Sequence, residues 1–130
     1  MNKSKSKTGI LLVNLGTPDS PETGDVRKYL REFLMDGRVL DIPYLSRWML
    51  VNFIIAPFRS PKSAKEYQKL WTERGSPLLF HTEDLRDKLV PLLDQEKYQV
   101  EIAMRYQSPS IEDGLKALNK ANVQEIVVLP

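Results

Sequence analysis

The sequence predicts an α/β fold, a small parallel sheet flanked by helices. Two observations carry this expectation. Gly9-Ile-Leu-Leu-Val-Asn-Leu15 and Ile126-Val-Val-Leu-Pro130 are continuous apolar runs, too short for helices and bounded by turn residues, as in strands buried on both faces. Between them lie segments with the i, i+3, i+4 spacing of amphipathic helices. The resulting order of strand, helices, strand, helix, strand is that of parallel strands joined by right-handed crossovers.

The elements follow in order. The first strand closes at Gly16-Thr17-Pro18, and Ser20-Pro21 supplies an N-cap and first-turn proline. Val26, Tyr29, Leu30, Phe33 and Leu34 then form one helical stripe. Residues 47–58 are apolar nearly all round, Ser60-Pro61 is expected to restart a helix, and Gly75-Ser76-Pro77 to break it. Thr82 is a candidate cap for a helix carrying Leu85, Leu89, Leu92 and Leu93, which Pro91 ends or kinks. Tyr98, Val100, Ile102 and Met104 alternate with more polar neighbours as in a half-buried strand. Ser110-Ile-Glu-Asp113 resembles a capping box with Asp in place of Glu, opening a helix with Leu115 and Leu118. The last apolar run has no covering helix after it, which reads as a chain that stops short.

Composition narrows the chemistry. The chain has 130 residues, about one domain, with 42% apolar and 28% charged, a globular balance. No stretch approaches the ~20 apolar residues of a membrane-spanning helix, and the lysine- and serine-rich start lacks the apolar region of a secretory signal. Zero cysteines exclude disulfides and thiolate metal sites within the chain, and a single histidine, His81, excludes any site needing two imidazoles. The net charge of +2 sits in the leader: without Lys3, Lys5 and Lys7, sixteen basic residues face seventeen acidic ones. Residues 1–8 are expected as a disordered basic tail, and the electrostatic footprint of a nucleic-acid binder is missing.

Few motifs stand out. Leu15-Gly16-Thr17-Pro18 falls at the carboxyl end of the first strand, where open α/β sheets bind ligands, yet it lacks the glycines of a phosphate-binding fingerprint and reads equally as a tight βα turn. His81 precedes the expected helix, where a surface or capping role is ordinary. Glu83 with Asp84, and Glu112 with Asp113, suit the first turns of helices. The segment Trp48 to Phe58 is either a core helix or an exposed apolar lip for a flat ligand or a membrane surface, with Arg47 and Arg59 at its borders. Arg59, Lys62, Arg105 and Tyr106 offer groups for an anionic ligand.

Several of these segments together resemble one family. Gly9-Ile-Leu-Leu-Val-Asn-Leu-Gly-Thr-Pro18, Asp25-Val-Arg-Lys-Tyr-Leu-Arg-Glu-Phe-Leu34, Asp41-Ile-Pro43, Arg59-Ser-Pro-Lys62, Glu66-Tyr67, Gly75-Ser-Pro77 and Met104-Arg-Tyr106, in this order, are similar to the start of ferrochelatase. The resemblance implies two similar Rossmann-like domains with a porphyrin cleft between them, and insertion of ferrous iron into protoporphyrin IX or coproporphyrin III in haem synthesis. On it, residues 9–130 are the N-terminal part of the first domain. It places Leu15 facing the porphyrin near the metal, Phe33 and Leu34 at the cleft lip, and Arg59 and Lys62 near the mouth. Tyr67 and Ser76 fall on groups that hold the propionates, and Arg105 and Tyr106 on a pair lining the cleft.

The family's catalytic histidine and glutamate lie beyond the portion matched, and His81 is not that histidine. The resemblance therefore implies a chain with no catalytic residue, metal ligand or bound cofactor of its own, inactive alone, whose parent takes ferrous iron and a porphyrin as substrates. It also implies a cytoplasmic protein with peripheral membrane contact through Trp48 to Phe58, and no nucleic acid. The alternative is a non-catalytic module binding a porphyrin or a membrane surface. A nucleotide-binding domain is disfavoured by the missing glycine fingerprint.

Overall fold

The computed structural model describes residues 6–130. Residues 1–5 of the expected disordered tail lie outside that range. Ordered structure begins earlier than expected, because Thr8 already belongs to the first strand: its N–H donates to the Lys97 carbonyl, and the Lys7 carbonyl accepts from Gln124. The chain divides into two compact units. One contains the chain through Gly16 together with Leu78–Pro130; the other is Thr17–Pro77.

The first unit is the α/β layer. It contains β1 (Thr8–Gly16), α4 (Pro77–Leu89, from Leu78 on), β2 (Tyr98–Tyr106), α5 (Ile111–Lys120) and β3 (Glu125–Leu129). The three α-helices of the other unit come between β1 and α4 in the chain. All three strands are parallel in the order β2-β1-β3, with Ile10 opposite Val100 and Val127, and Leu12 opposite Ile102 and Leu129. Successive side chains of β1 point to opposite faces. Leu11 therefore packs with Ala103 and with Leu118 of α5, whereas Leu12 packs with Val100, Ile102, and Leu79 and Leu89 of α4. The reading of β1 as a strand buried on both faces follows from this sandwich.

Two strands depart from expectation. The alternation in β2 suggested one covered face, yet Ala103 is buried as fully as Ile102 and Met104, because α5 covers the face that α4 does not. The apolar run of β3 suggested a buried strand, but all five of its residues are exposed. It lies at the sheet edge, paired with β1.

The helix termini are partly as read. Ser110 caps α5: its Oγ accepts from Asp113 N at 3.1 Å while the Asp113 carboxylate accepts from Ser110 N at 3.1 Å, a reciprocal box that holds the Asp113 carboxyl below its ordinary value. Thr82, in contrast, is no cap. The helix starts five residues earlier at Pro77, a proline in the first turn whose missing N–H costs no bond there, and Thr82 Oγ1 donates to the Leu78 carbonyl inside α4. His81 accordingly sits within the helix and not before it. Pro91 does end α4, which passes into a 3-10 turn at Val90–Leu92.

The second unit is helical: α1 (Thr23–Met35), α2 (Tyr44–Met49), a π-helical stretch at Leu50–Ile55, and α3 (Ala56–Leu70). The N-cap of α1 is Glu22, not Ser20; Ser20 instead accepts from Glu22 N and donates to Asp25 Oδ2 at 2.6 Å, tightening the entry from one turn upstream. Ser60-Pro61 restarts nothing, because both lie inside the unbroken α3. Pro61 takes away one intrahelical donor, and the neighbouring Ser60 hydroxyl turns inward to the Ala56 carbonyl. Ala56, Ser60 and Ala64 are buried small residues at four-residue spacing on α3, a row that allows α1 to approach. The helix ends at Leu70, and Gly75 (φ +93°) forms the turn that follows, with reciprocal backbone bonds to Thr72.

Leu118 is wholly buried between α5 and the sheet while Leu115 on the same helix is 41% exposed. Leu118→Ala is expected to cost about 2–5 kcal/mol and Leu115→Ala less than about 1 kcal/mol, as read from urea unfolding midpoints.

Candidate functional site

In the α/β unit the carboxyl ends of β1 and β2 bring three expected site residues together. Leu15 lies between the register pairs Asn14↔Met104 and Gly16↔Tyr106, so it neighbours Arg105 and Tyr106 on the adjacent strand. Its side chain is 48% exposed, an apolar group left open at the sheet end where ligands bind α/β folds. Tyr106 is buried, and the Arg105 guanidinium lies 4.9 Å from its ring centroid, within cation–π range.

Gly16 is what makes this corner. It has φ +128°, and a Cβ there would stand 2.3 Å from the Tyr106 carbonyl oxygen, so only glycine lets the two strands meet this closely. Asn14, just before it, accepts from Leu15 N at 2.8 Å and donates to Thr82 Oγ1 at 3.2 Å. That pair was not singled out from the sequence, since 68 residues separate its members.

In the helical unit the remaining candidates fall into three settings. Phe33 stacks on Tyr29 (centroids 5.9 Å apart, planes within 1°), and Tyr29 meets the Tyr67 ring edge-on at 6.3 Å; Phe33 and Tyr67 are thus joined through a residue that had been read only as part of a core stripe. Burial pushes the Tyr67 phenol up from its ordinary value, and a hydrogen bond from Tyr29 partly offsets this. Ser76 is buried, and its Oγ accepts from Thr17 Oγ1 at 2.7 Å. Arg59 and Lys62 are exposed on α3, and Leu34 is half-buried on α1.

The lip expected at residues 48–58 is exposed. Trp48, Met49, Phe53, Ile54 and Phe58 face outward, Phe58 at 79%, and Tyr44 and Leu45 extend the row, whereas Val51 and Ala56 are buried. Trp48 and Phe53 pack edge-to-face at 5.5 Å. Arg47 secures the start of the rod by donating through one terminal nitrogen to the Leu40 and Ile42 carbonyls. Among the described residues no helix is long and apolar enough to cross a membrane, and no group of three or more His, Cys, Asp or Glu could hold a metal ion.

Comparison with known proteins decides the family. The Ferrochelatase family profile matches residues 7–130. The chain belongs to the ferrochelatase family. Ferrochelatases of Coxiella burnetii (48% identical over 128 residues), Methylococcus capsulatus (50% over 130) and Legionella pneumophila (48% over 124) are among its relatives. These alignments take in 98%, 100% and 95% of this chain, but 36%, 39% and 37% of the respective relatives. The chain therefore spans a little over a third of the length of the ferrochelatases it matches.

Two outcomes test the geometry. Gly16→Ala is expected to lower the thermal unfolding temperature by several degrees, because it adds a steric clash to a backbone conformation that side chains rarely adopt, together about 2–5 kcal/mol. The raised Tyr67 phenol binds its proton more tightly in the folded than in the unfolded chain. Stability from this source is therefore full below the ordinary value of 10.0 and is lost as the pH rises through the folded value; Tyr67→Phe should flatten that alkaline decline in unfolding titrations.

Proposed function

We propose that this chain supplies the porphyrin-contacting part of an enzyme that inserts ferrous iron into protoporphyrin IX or coproporphyrin III, the N-terminal portion of a ferrochelatase. The observation that carries the reading is the exposed apolar Leu15 at the sheet end, with Arg105 and Tyr106 on the neighbouring strand. A porphyrin is a wide apolar disc with carboxylates at one rim, and it wants such a combination.

In this reading Phe33 and Leu34 lie against the disc and Leu15 faces its centre. Arg59 and Lys62 draw in the carboxylates, Tyr67 and Ser76 donate hydrogen bonds to them, and Arg105 with Tyr106 lines the slot. Insertion needs the two pyrrole protons removed and is eased by bending the macrocycle. The part of the residues above in this reading is to hold and orient the ring. Residues 9–130 on this view are the beginning of the first of two Rossmann-like domains, and the chain alone does not metallate a porphyrin above the uncatalysed rate. The exposed row 44–58, bordered by Arg47 and Arg59, fits peripheral contact with a membrane from the cytoplasmic side.

The test is direct binding. Protoporphyrin IX titrated into the purified chain should quench tryptophan fluorescence, and Arg59→Ala with Lys62→Ala should weaken its affinity about tenfold with greater salt sensitivity in the wild type. Saturable binding of a nucleotide in place of the porphyrin would overturn the reading.

A further inference from the structure

The carboxyl end of β1 is tied to α4 by a path of hydrogen bonds that runs in one direction. The register with β2 passes over Leu15, pairing Asn14 with Met104 and Gly16 with Tyr106. The Leu15 N–H donates to Oδ1 of the preceding Asn14 at 2.8 Å, and Asn14 Nδ2 donates to Thr82 Oγ1 at 3.2 Å. Thr82 is 7% exposed, and its own proton goes to the Leu78 carbonyl, one helical turn back, at 2.7 Å. All four residues belong to the α/β unit.

The direction is forced at each step. A hydroxyl has one proton to give, and that of Thr82 is committed within its own helix, so toward β1 the oxygen can only accept. An accepting partner requires the amide nitrogen of Asn14 on that side. The Oδ1 is thereby turned toward Leu15, where a backbone donor needs an acceptor. A carboxamide is planar, so fixing one end fixes the other. Asn14 takes its orientation from a helix 68 positions away and hands it to the next residue, whose side chain is the apolar group left 48% exposed at the sheet end. A strand terminus with an exposed side chain has few packing contacts to hold it; here a buried hydroxyl holds it through one intermediary.

We propose that Thr82 is a positioning residue that, through Asn14, holds Leu15 in the place where it meets the centre of the ring. The inference rests on the porphyrin reading above. It gives a use to a threonine in mid-helix, where bonding back to the preceding turn slightly destabilises a helix, and it makes the placing of Leu15 depend on α4 as well as on the sheet.

The experiment is a double-mutant cycle read by protoporphyrin IX binding to the purified chain, together with backbone amide hydrogen exchange. Leu15→Ala should weaken binding about tenfold, and Thr82→Val, which keeps the side-chain shape and removes the acceptor, about fivefold. In the Leu15→Ala background Thr82→Val should cost less than about twofold, since its route to the ring is already cut. Thr82→Ser should bind as the wild type does. In Thr82→Val the Leu15 amide should exchange about tenfold faster, while Leu11 and Leu12 in mid-strand keep their protection. Unchanged exchange at Leu15, or losses that simply add in the double variant, would overturn the proposal, because a packing role of Thr82 does not pass through Leu15. Should Thr82→Val fail to fold, Thr82→Ala removes the same acceptor in a good helix former and decides by the same comparison. A wild type that binds no porphyrin, or Leu15→Ala binding as tightly as the wild type, is a failure of the porphyrin reading and takes this proposal with it; the additive result overturns the proposal alone.

Discussion

The α/β unit depends on β1 being covered on both faces. Leu11 and Leu12 are adjacent in sequence and, by strand geometry, face opposite ways; one is sealed by α5 and the other by α4. Any shift of one residue in the pairing with β2 would exchange the two sides and strand each leucine against the wrong helix. The register so fixed carries through to the sheet end, where Gly16 comes opposite Tyr106 and Leu15 is left open beside Arg105. The corner that holds the candidate residues is thus a by-product of how the core is locked.

The helical unit solves a different problem. Its apolar side chains are divided between an inner set, Val26, Tyr29, Val51, Ala56 and Ala64, and an outer set that stays exposed. Burial of the outer row would ordinarily be favourable by about 25 cal/mol per Å2 of apolar area, so leaving it open forgoes stability. The π-helical stretch allows the division. Its i to i+5 bonding stacks residues five apart, so that 48 and 49 are followed along the rod by 53 and 54 and then 58, while Val51 and Ala56 keep to the inside.

Elements marked by local chemistry could be read in the sequence. The apolar runs of β1 and β3, the Val26 stripe, the box at Ser110 and the stop at Pro91 all depend on residues within a few positions of one another. Signals went astray where a local pattern had two structural uses. Ser60-Pro61 looks like a helix start, but the rod arriving from Tyr44 had already supplied the preceding turn. Thr82 looks like a cap, but Pro77 starts the helix sooner. The candidate site was legible as a set of residue types through resemblance, whereas its inner partners were not. Thr17 with Ser76, and Asn14 with Thr82, are joined across 59 and 68 positions, and no periodicity reports such pairs. The division into two units was equally hidden, because one of them is assembled from both ends of the chain.

The exposed row on the rod has a consequence of shape. Fifteen residues from Tyr44 to Phe58 extend roughly 20 Å at helical rise, one side chain or two wide at each turn. Contact along such a row is a line, not a disc. A line resting on a soft surface resists being lifted at either end, yet offers little resistance to rolling about its own axis.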